Sequence, residues 1–129
     1  MDIVSAVFAE NIELRPVPGP STRVDLTGIM FSLAAPSPPP VTITPHLIVL
    51  VRCRSDEDGE GILEVVFRDE SGAQVARNVS PFNVEPGKFT YRLVRAELEF
   101  AEPGTVEAHC RLLPDGATTT VPLTLLPPL

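Results

Sequence analysis

The sequence predicts an all-β protein, an antiparallel β-sandwich of seven or eight strands in a Greek-key arrangement. Three observations carry that prediction. Short apolar or alternating runs recur at roughly regular spacing, separated by turn chemistry, which is the pattern of a sandwich or barrel. No segment holds a helical period over eleven residues. Fifteen prolines stand among the 129 residues, and interior prolines break helical hydrogen-bond ladders but suit strands joined by stiff loops. Mid-sized inward residues and proline-rich crossovers favour a sandwich over a barrel.

The most strand-like stretch is 47–54, Leu-Ile-Val-Leu-Val-Arg-Cys-Arg. Its first half is apolar on both faces, as in a strand covered on two sides. Its second half alternates, so the period of two assigns Leu47, Val49, Val51 and Cys53 to the inward face. The other strands are read around this one.

Residues 3–9 form the first strand, with Val4, Ala6 and Phe8 on one face, and 11–14 continue it after a break. Arg15-Pro-Val-Pro-Gly-Pro-Ser21 is a loop by composition. Residues 22–33 form a second strand, with a bulge or bend at Thr27-Gly28. The proline-rich 34–41 is a stiff crossover between sheets in polyproline II conformation. Its Pro36-x-x-Pro39 spacing could serve a proline-reading domain, but a mid-domain position favours the crossover.

After the central strand, Asp56 to Gly61 turns the chain into a fourth strand. Leu63, Val65 and Phe67 face inward there, and Glu64 and Arg68 outward. Asp69-Glu-Ser-Gly72 turns again, a short fifth strand covers 73–79, and Pro81 to Gly87 reads as a loop. Residues 88–100 form a sixth strand. Phe89, Tyr91 and Leu93 share one face and Val94, Ala96, Leu98 and Phe100 the next, and bringing both apolar groups to the same side requires a phase slip, by a bulge or a break, near Leu93-Val94. Residues 105–113 form a seventh strand with Val106, Ala108, Cys110 and Leu112 inward. Pro114-Asp-Gly116 leads to a last strand at 118–125, which Pro127-Pro128 stops.

The length is that of one domain, residues 1–129, able to bury roughly two thirds of the surface its unfolded chain exposes. Net charge is −7, which argues against nucleic acid and anionic membranes as partners. The first residues lack the basic region and long apolar core of a signal peptide, and no apolar run reaches a membrane span, so a cytoplasmic location is expected.

Three segments carry a resemblance: Ala6-Val7-Phe8-Ala9-Glu10, Leu26-Thr27-Gly28-Ile29 and Pro103-Gly104-Thr105-Val106-Glu107. With them the chain resembles a family of short uncharacterised bacterial β-sandwich proteins, a domain of unknown function without a recognised active site. The resemblance implies the sandwich and no activity. A weaker resemblance, to immunoglobulin-like domains, rests on Cys53 and Cys110 falling on two inward faces. The chain has no tryptophan, and Ala108 stands where the tyrosine before the second cysteine belongs.

Few residues point to chemistry. Cys53 and Cys110 could bridge if their α-carbons approach within about 7 Å, but two buried thiols are the expectation in a reducing compartment. Asp56, Asp58 and Glu60, followed by Gly61, match the first half of a calcium loop. Phe67 occupies the place of its bidentate glutamate, so an acidic hairpin tip, or at most weak calcium binding, is expected. His46 and His109 lack neighbours at metal-ligand spacing. No nucleophile elbow, zinc-protease or phosphate-loop motif is present. Phe82, in Ser80-Pro81-Phe82-Asn83, is either a plug over the core or a contact point, with the plug favoured. The chain is thus expected to be non-enzymatic and cofactor-free, a module that binds a protein partner or itself. A domain responding to calcium or a small ligand through 56–61 is the alternative.

Overall fold

The computed structural model describes residues 1–19 and 21–129. Among the described residues eleven strands form. They are β1 (Asp2–Pro16), β2 (Thr22–Met30), β3 (Ser32–Ala34), β4 (Val41–Ile43), β5 (His46–Arg52), β6 (Glu60–Arg68), β7 (Gln74–Asn83), β8 (Phe89–Arg95), β9 (Leu98–Phe100), β10 (Gly104–Leu112) and β11 (Thr119–Leu126). A four-stranded sheet in the order β2-β1-β5-β8 lies against a five-stranded sheet in the order β3-β11-β10-β6-β7. Every pairing is antiparallel except β3 with β11.

The eleven strands exceed the expected seven or eight because two expected strands divide and β4, at the end of the proline-rich crossover, was not expected. Phe31 separates β2 from β3, Thr44-Pro45 separates β4 from β5, and Ala96-Glu97 separates β8 from β9. The β5–β8 ladder, in which His46 faces Arg95, resumes in the same register with Ile43 facing Leu98. Pro45 has no N–H to give the ladder, so the pairing parts there and the β4–β9 ribbon bends away. The proline-rich 35–40 segment carries the chain from β3 in one sheet to β4 and β5 beside the other, a crossover as expected.

The core forms between the two sheets. Leu47, Val49, Val51 and Cys53 are all buried, as the alternation requires, against Leu63, Val65 and Phe67 of β6 and Val106, Ala108, Cys110 and Leu112 of β10. Phe8, Val94, Leu98, Phe100, Leu123 and Leu125 complete it. Each such large side chain contributes about 1.5–3 kcal/mol through burial.

Three local readings are corrected. Register shifts between Ile3 and Ser5, so Ile3 packs on the core while Val4 is exposed, and Val4 does not share the face of Ala6 and Phe8. β7 continues through Pro81 and Phe82 to Asn83, where a loop was expected, because Pro81 sits on an edge strand that tolerates it. No phase slip occurs at Leu93-Val94, since β8 pairs with β5 without a shift from Phe89 to Arg95.

Beyond Ala9, β1 pairs with β2 alone, from Asn11 opposite Thr27 to Pro16 opposite Thr22. This ribbon projects past the sheet. Ile12 faces Leu26 and Leu14 faces Val24 on one side, and Arg15 binds Asp25 at 2.8 Å and 3.1 Å on the other.

Candidate interaction surface

The uninterrupted register of β8 has a consequence for its faces. Thr90 and Arg92 lie opposite Val51 and Val49, on the side that faces the core. Phe89, Tyr91 and Leu93 lie opposite Arg52, Leu50 and Ile48, on the outer side. The first half of β8 is therefore inverted, with polar residues inward and apolar residues outward. Strand register is normally fixed by the opposite preference. Phe89 is 62% exposed and Leu93 46%.

The inversion is part of a larger surface. Across the outer face of the four-stranded sheet, Leu93 lies beside Ile48, which lies beside Val7. Tyr91, Leu50 and Ser5 form the next row, and Arg95, His46, Ala9 and Ile29 another. Ile48 and Ala9 are almost wholly buried, yet neither belongs to the cluster between the sheets. Phe31, between β2 and β3, is 78% exposed. The doubly apolar reading of Leu47 to Leu50 is thus explained: one side meets the core, and the other forms the floor of an outer apolar face.

β8 is also an edge. Cys53 N–H donates to the carbonyl of Lys88 at 2.9 Å. Antiparallel bonding alternates along a ladder, so Thr90, Arg92 and Val94 bond to β5. The main-chain groups of Phe89, Tyr91, Leu93 and Arg95 turn outward. β7, the edge nearest in the other sheet, is blunted: by the same alternation from Val84 N–H to Gly59 O at 2.8 Å, the position of Pro81 that turns outward has no N–H. β2 lacks a Glu10–Gly28 pair in its ladder, and β3 is only three residues long. β8 carries neither proline nor bulge, the usual protections of an edge.

The inward side chain of Arg92 crosses toward β7, its guanidinium carbon 5.7 Å from the centroid of the Phe82 ring. Its Nε is buried without a hydrogen-bond partner, a state that costs about 1–3 kcal/mol. Neither Arg92 nor Arg95 makes an ion pair among the described residues. Phe82 is 7% exposed and packs on Gly61, where an added Cβ would come within 2.6 Å of its ring. It therefore sits in the core as a plug.

The other sequence-derived candidates lie apart from this surface. Asp56, Asp58 and Glu60 do not converge. The Asp58 carboxylate accepts the Glu60 N–H at 2.9 Å, while Asp56 lines a separate hollow with Arg52, Arg54 and Gly87. Among the described residues no three His, Cys, Asp or Glu side chains are grouped to hold a metal ion. Cys53 and Cys110 are buried and free, on the two inward faces that the alternation assigned them. Burial pushes the Cys110 thiol up to about 12. His46 is half-buried on the outer face between Ala9 and Arg95. His109 stands on the outer face of the five-stranded sheet, its Nε2 3.5 Å from Glu107 and without a hydrogen bond.

Sequence reading missed Glu64 and Arg92. Glu64 faces outward as expected, yet it is 9% exposed because two guanidinium groups cover it. Arg77 donates to Oε2 at 2.8 Å and Arg111 to Oε1 at 2.9 Å. The bonds from Arg77 and then Arg111 hold its carboxyl below the usual glutamate range. Both arginines come from neighbouring strands, a proximity that only the sheet order reveals. For Arg92, the signal was the alternation Phe89-Thr90-Tyr91-Arg92-Leu93 itself.

No protein-family model matches the chain, and no curated protein is similar to it in sequence. Among the described residues no helix is long and apolar enough to cross a membrane.

Proposed function

We propose that this chain is a non-enzymatic β-sandwich that acts by binding another protein, with the outer face of its four-stranded sheet as the contact surface. The observation that carries this reading is the inversion of β8, which turns Phe89, Tyr91 and Leu93 outward while Arg92 faces in. A sandwich working alone gains nothing from that arrangement, since exposed contiguous apolar surface is a liability that binding removes. The half-buried Val7 and Leu50 extend the same surface on either side of the buried Ile48. The resemblance to small sandwiches without a recognised active site points the same way. Two free, buried thiols suit a reducing cytoplasm as the working compartment.

The test compares the tagged chain with Phe89→Ser and Leu93→Ser variants. Capture from the source cells, with bound proteins identified by mass spectrometry, is run beside light scattering. The expected result is one stoichiometric partner held by the parent chain and lost in both variants, with their far-ultraviolet circular dichroism unchanged. Identical capture by parent and variants, or a strict monomer that holds nothing, overturns the reading.

A further inference from the structure

Resting on that reading of the outer face, we infer that β8 accepts an added strand: an extended segment of another protein in which apolar and acidic residues alternate, one carboxylate meeting Arg92.

The main chain supplies the first half of the argument. Tyr91 and Leu93 present outward N–H and carbonyl groups along an edge with no proline and no bulge, and among the described residues β8 is ladder-paired on one side only, to β5. Such an edge is a template for strand addition, in which main-chain bonds hold the segment and alternate side chains select it.

The side chains supply the second half. In an added antiparallel strand, directly opposite residues lie on the same face. Residues opposite Tyr91 and Leu93 fall on the outer apolar surface and are best apolar. The residue opposite Arg92 falls on the inner side, next to a guanidinium whose Nε is buried and unpartnered. A carboxylate there supplies the missing acceptor. The arginines of β8 argue against a second copy as the occupant. Pairing β8 with itself brings two Arg92 and two Arg95 side chains onto one short ladder, with no carboxylate on β8 to separate them, and like charges across a ladder destabilise it.

The experiment uses the whole chain and a labelled ten-residue peptide of alternating valine and glutamate. A matched peptide carries glutamine for glutamate, and a third carries N-methyl groups on the amides of its pairing edge. Binding is read by fluorescence anisotropy, and the site by amide hydrogen exchange. The expected result is saturable binding of the glutamate peptide, with slowed exchange at Tyr91 and Leu93. Affinity falls at least tenfold for the glutamine peptide, for the methylated peptide and for an Arg92→Met chain, and Arg92→Lys restores part of it. Equal binding of the glutamate and glutamine peptides, protection at another edge, no binding at millimolar peptide, or a dimer of the chain that itself protects Tyr91 and Leu93 each overturns the inference. Capture that depends on Phe89 and Leu93 while the peptides leave those amides unprotected sinks the added strand and leaves the outer-face reading standing. Protection of those amides in a chain whose capture ignores both substitutions does the reverse.

Discussion

Arg92 of β8 and Phe82 of β7 meet between the edge strands of the two sheets, guanidinium carbon to ring centroid 5.7 Å. The pair joins two opposing effects. Contact of the cation with the ring face contributes about 0.5–2 kcal/mol, while the unpartnered buried Nε costs about 1–3 kcal/mol. The two nearly cancel, so Arg92→Met, which keeps the length and loses the donor, is expected to change stability by less than about 1 kcal/mol. Phe82→Ala removes a buried ring that packs on Gly61 and is expected to cost about 3 kcal/mol. Urea unfolding of the two variants separates them. Equal losses show that the cation–ring contact holds the edges together.

Glu64 makes the stability of the five-stranded sheet depend on acid. Its folded-state carboxyl is held below the ordinary glutamate range by Arg77 first and Arg111 second. A depressed folded value means that the stabilisation is complete above the unfolded value, near 4.5, and is lost as pH falls through the folded one. Glu64→Gln is expected to cost about 1–2 kcal/mol at neutral pH, since both arginines are about half exposed and water screens part of the pairing. The variant should also flatten the stability profile below pH 4.5. Denaturant midpoints measured from neutral pH downward check both, and a variant whose acid limb matches the parent removes Glu64 from the account.

The parts of the fold that were legible are those that depend on local period. Leu47, Val49, Val51 and Cys53 read correctly because alternation along one strand fixes one face. The same logic grouped Phe89, Tyr91 and Leu93, but it assumed that the apolar group faces the core and so required a slip at Leu93-Val94. The structure keeps the phase and turns the apolar group outward. A single chain's alternation gives two faces without saying which is inside, and on β8 the apolar one is the outer one. Glu64 stayed hidden for a different reason. Its partners are thirteen and forty-seven residues away, and only the β7-β6-β10 order makes them neighbours.

Gly59 and Gly72 separate backbone conformation from packing. Both have φ of +83°, where an L side chain is strained by about 1–2 kcal/mol. At Gly72 an added Cβ meets nothing within 4 Å, so Gly72→Ala is expected to cost about 1 kcal/mol. At Gly59 the added atom runs into the carbonyl oxygen of Val84, whose N–H donates to Gly59 O at 2.8 Å. Strain and overpacking then combine, and Gly59→Ala is expected to cost about 3 kcal/mol or more. Thermal unfolding of the two variants gives the comparison, and similar losses put the burden on φ alone.

The buried Cys110 thiol sets an alkaline limit. Desolvation raises Cys110 to about 12, because the thiolate is excluded from a pocket between Val65 and Thr119 on the neighbouring strands. In the unfolded chain the thiol titrates near 9. Between those values the unfolded state loses a proton that the folded state retains, so stability is intact below about pH 9 and declines as pH rises toward 12. Cys110→Ala should remove this decline at the cost of a small cavity, about 1 kcal/mol at neutral pH. At pH 8 neither Cys53 nor Cys110 is expected to react with a thiol reagent in the folded chain, and both should react once guanidinium unfolds it, giving a titre of two free thiols. Rapid labelling of the native chain at pH 8 exposes an opening of the β5–β10 side of the core below the global unfolding free energy, and hydrogen exchange at Val49 and Ala108 locates it.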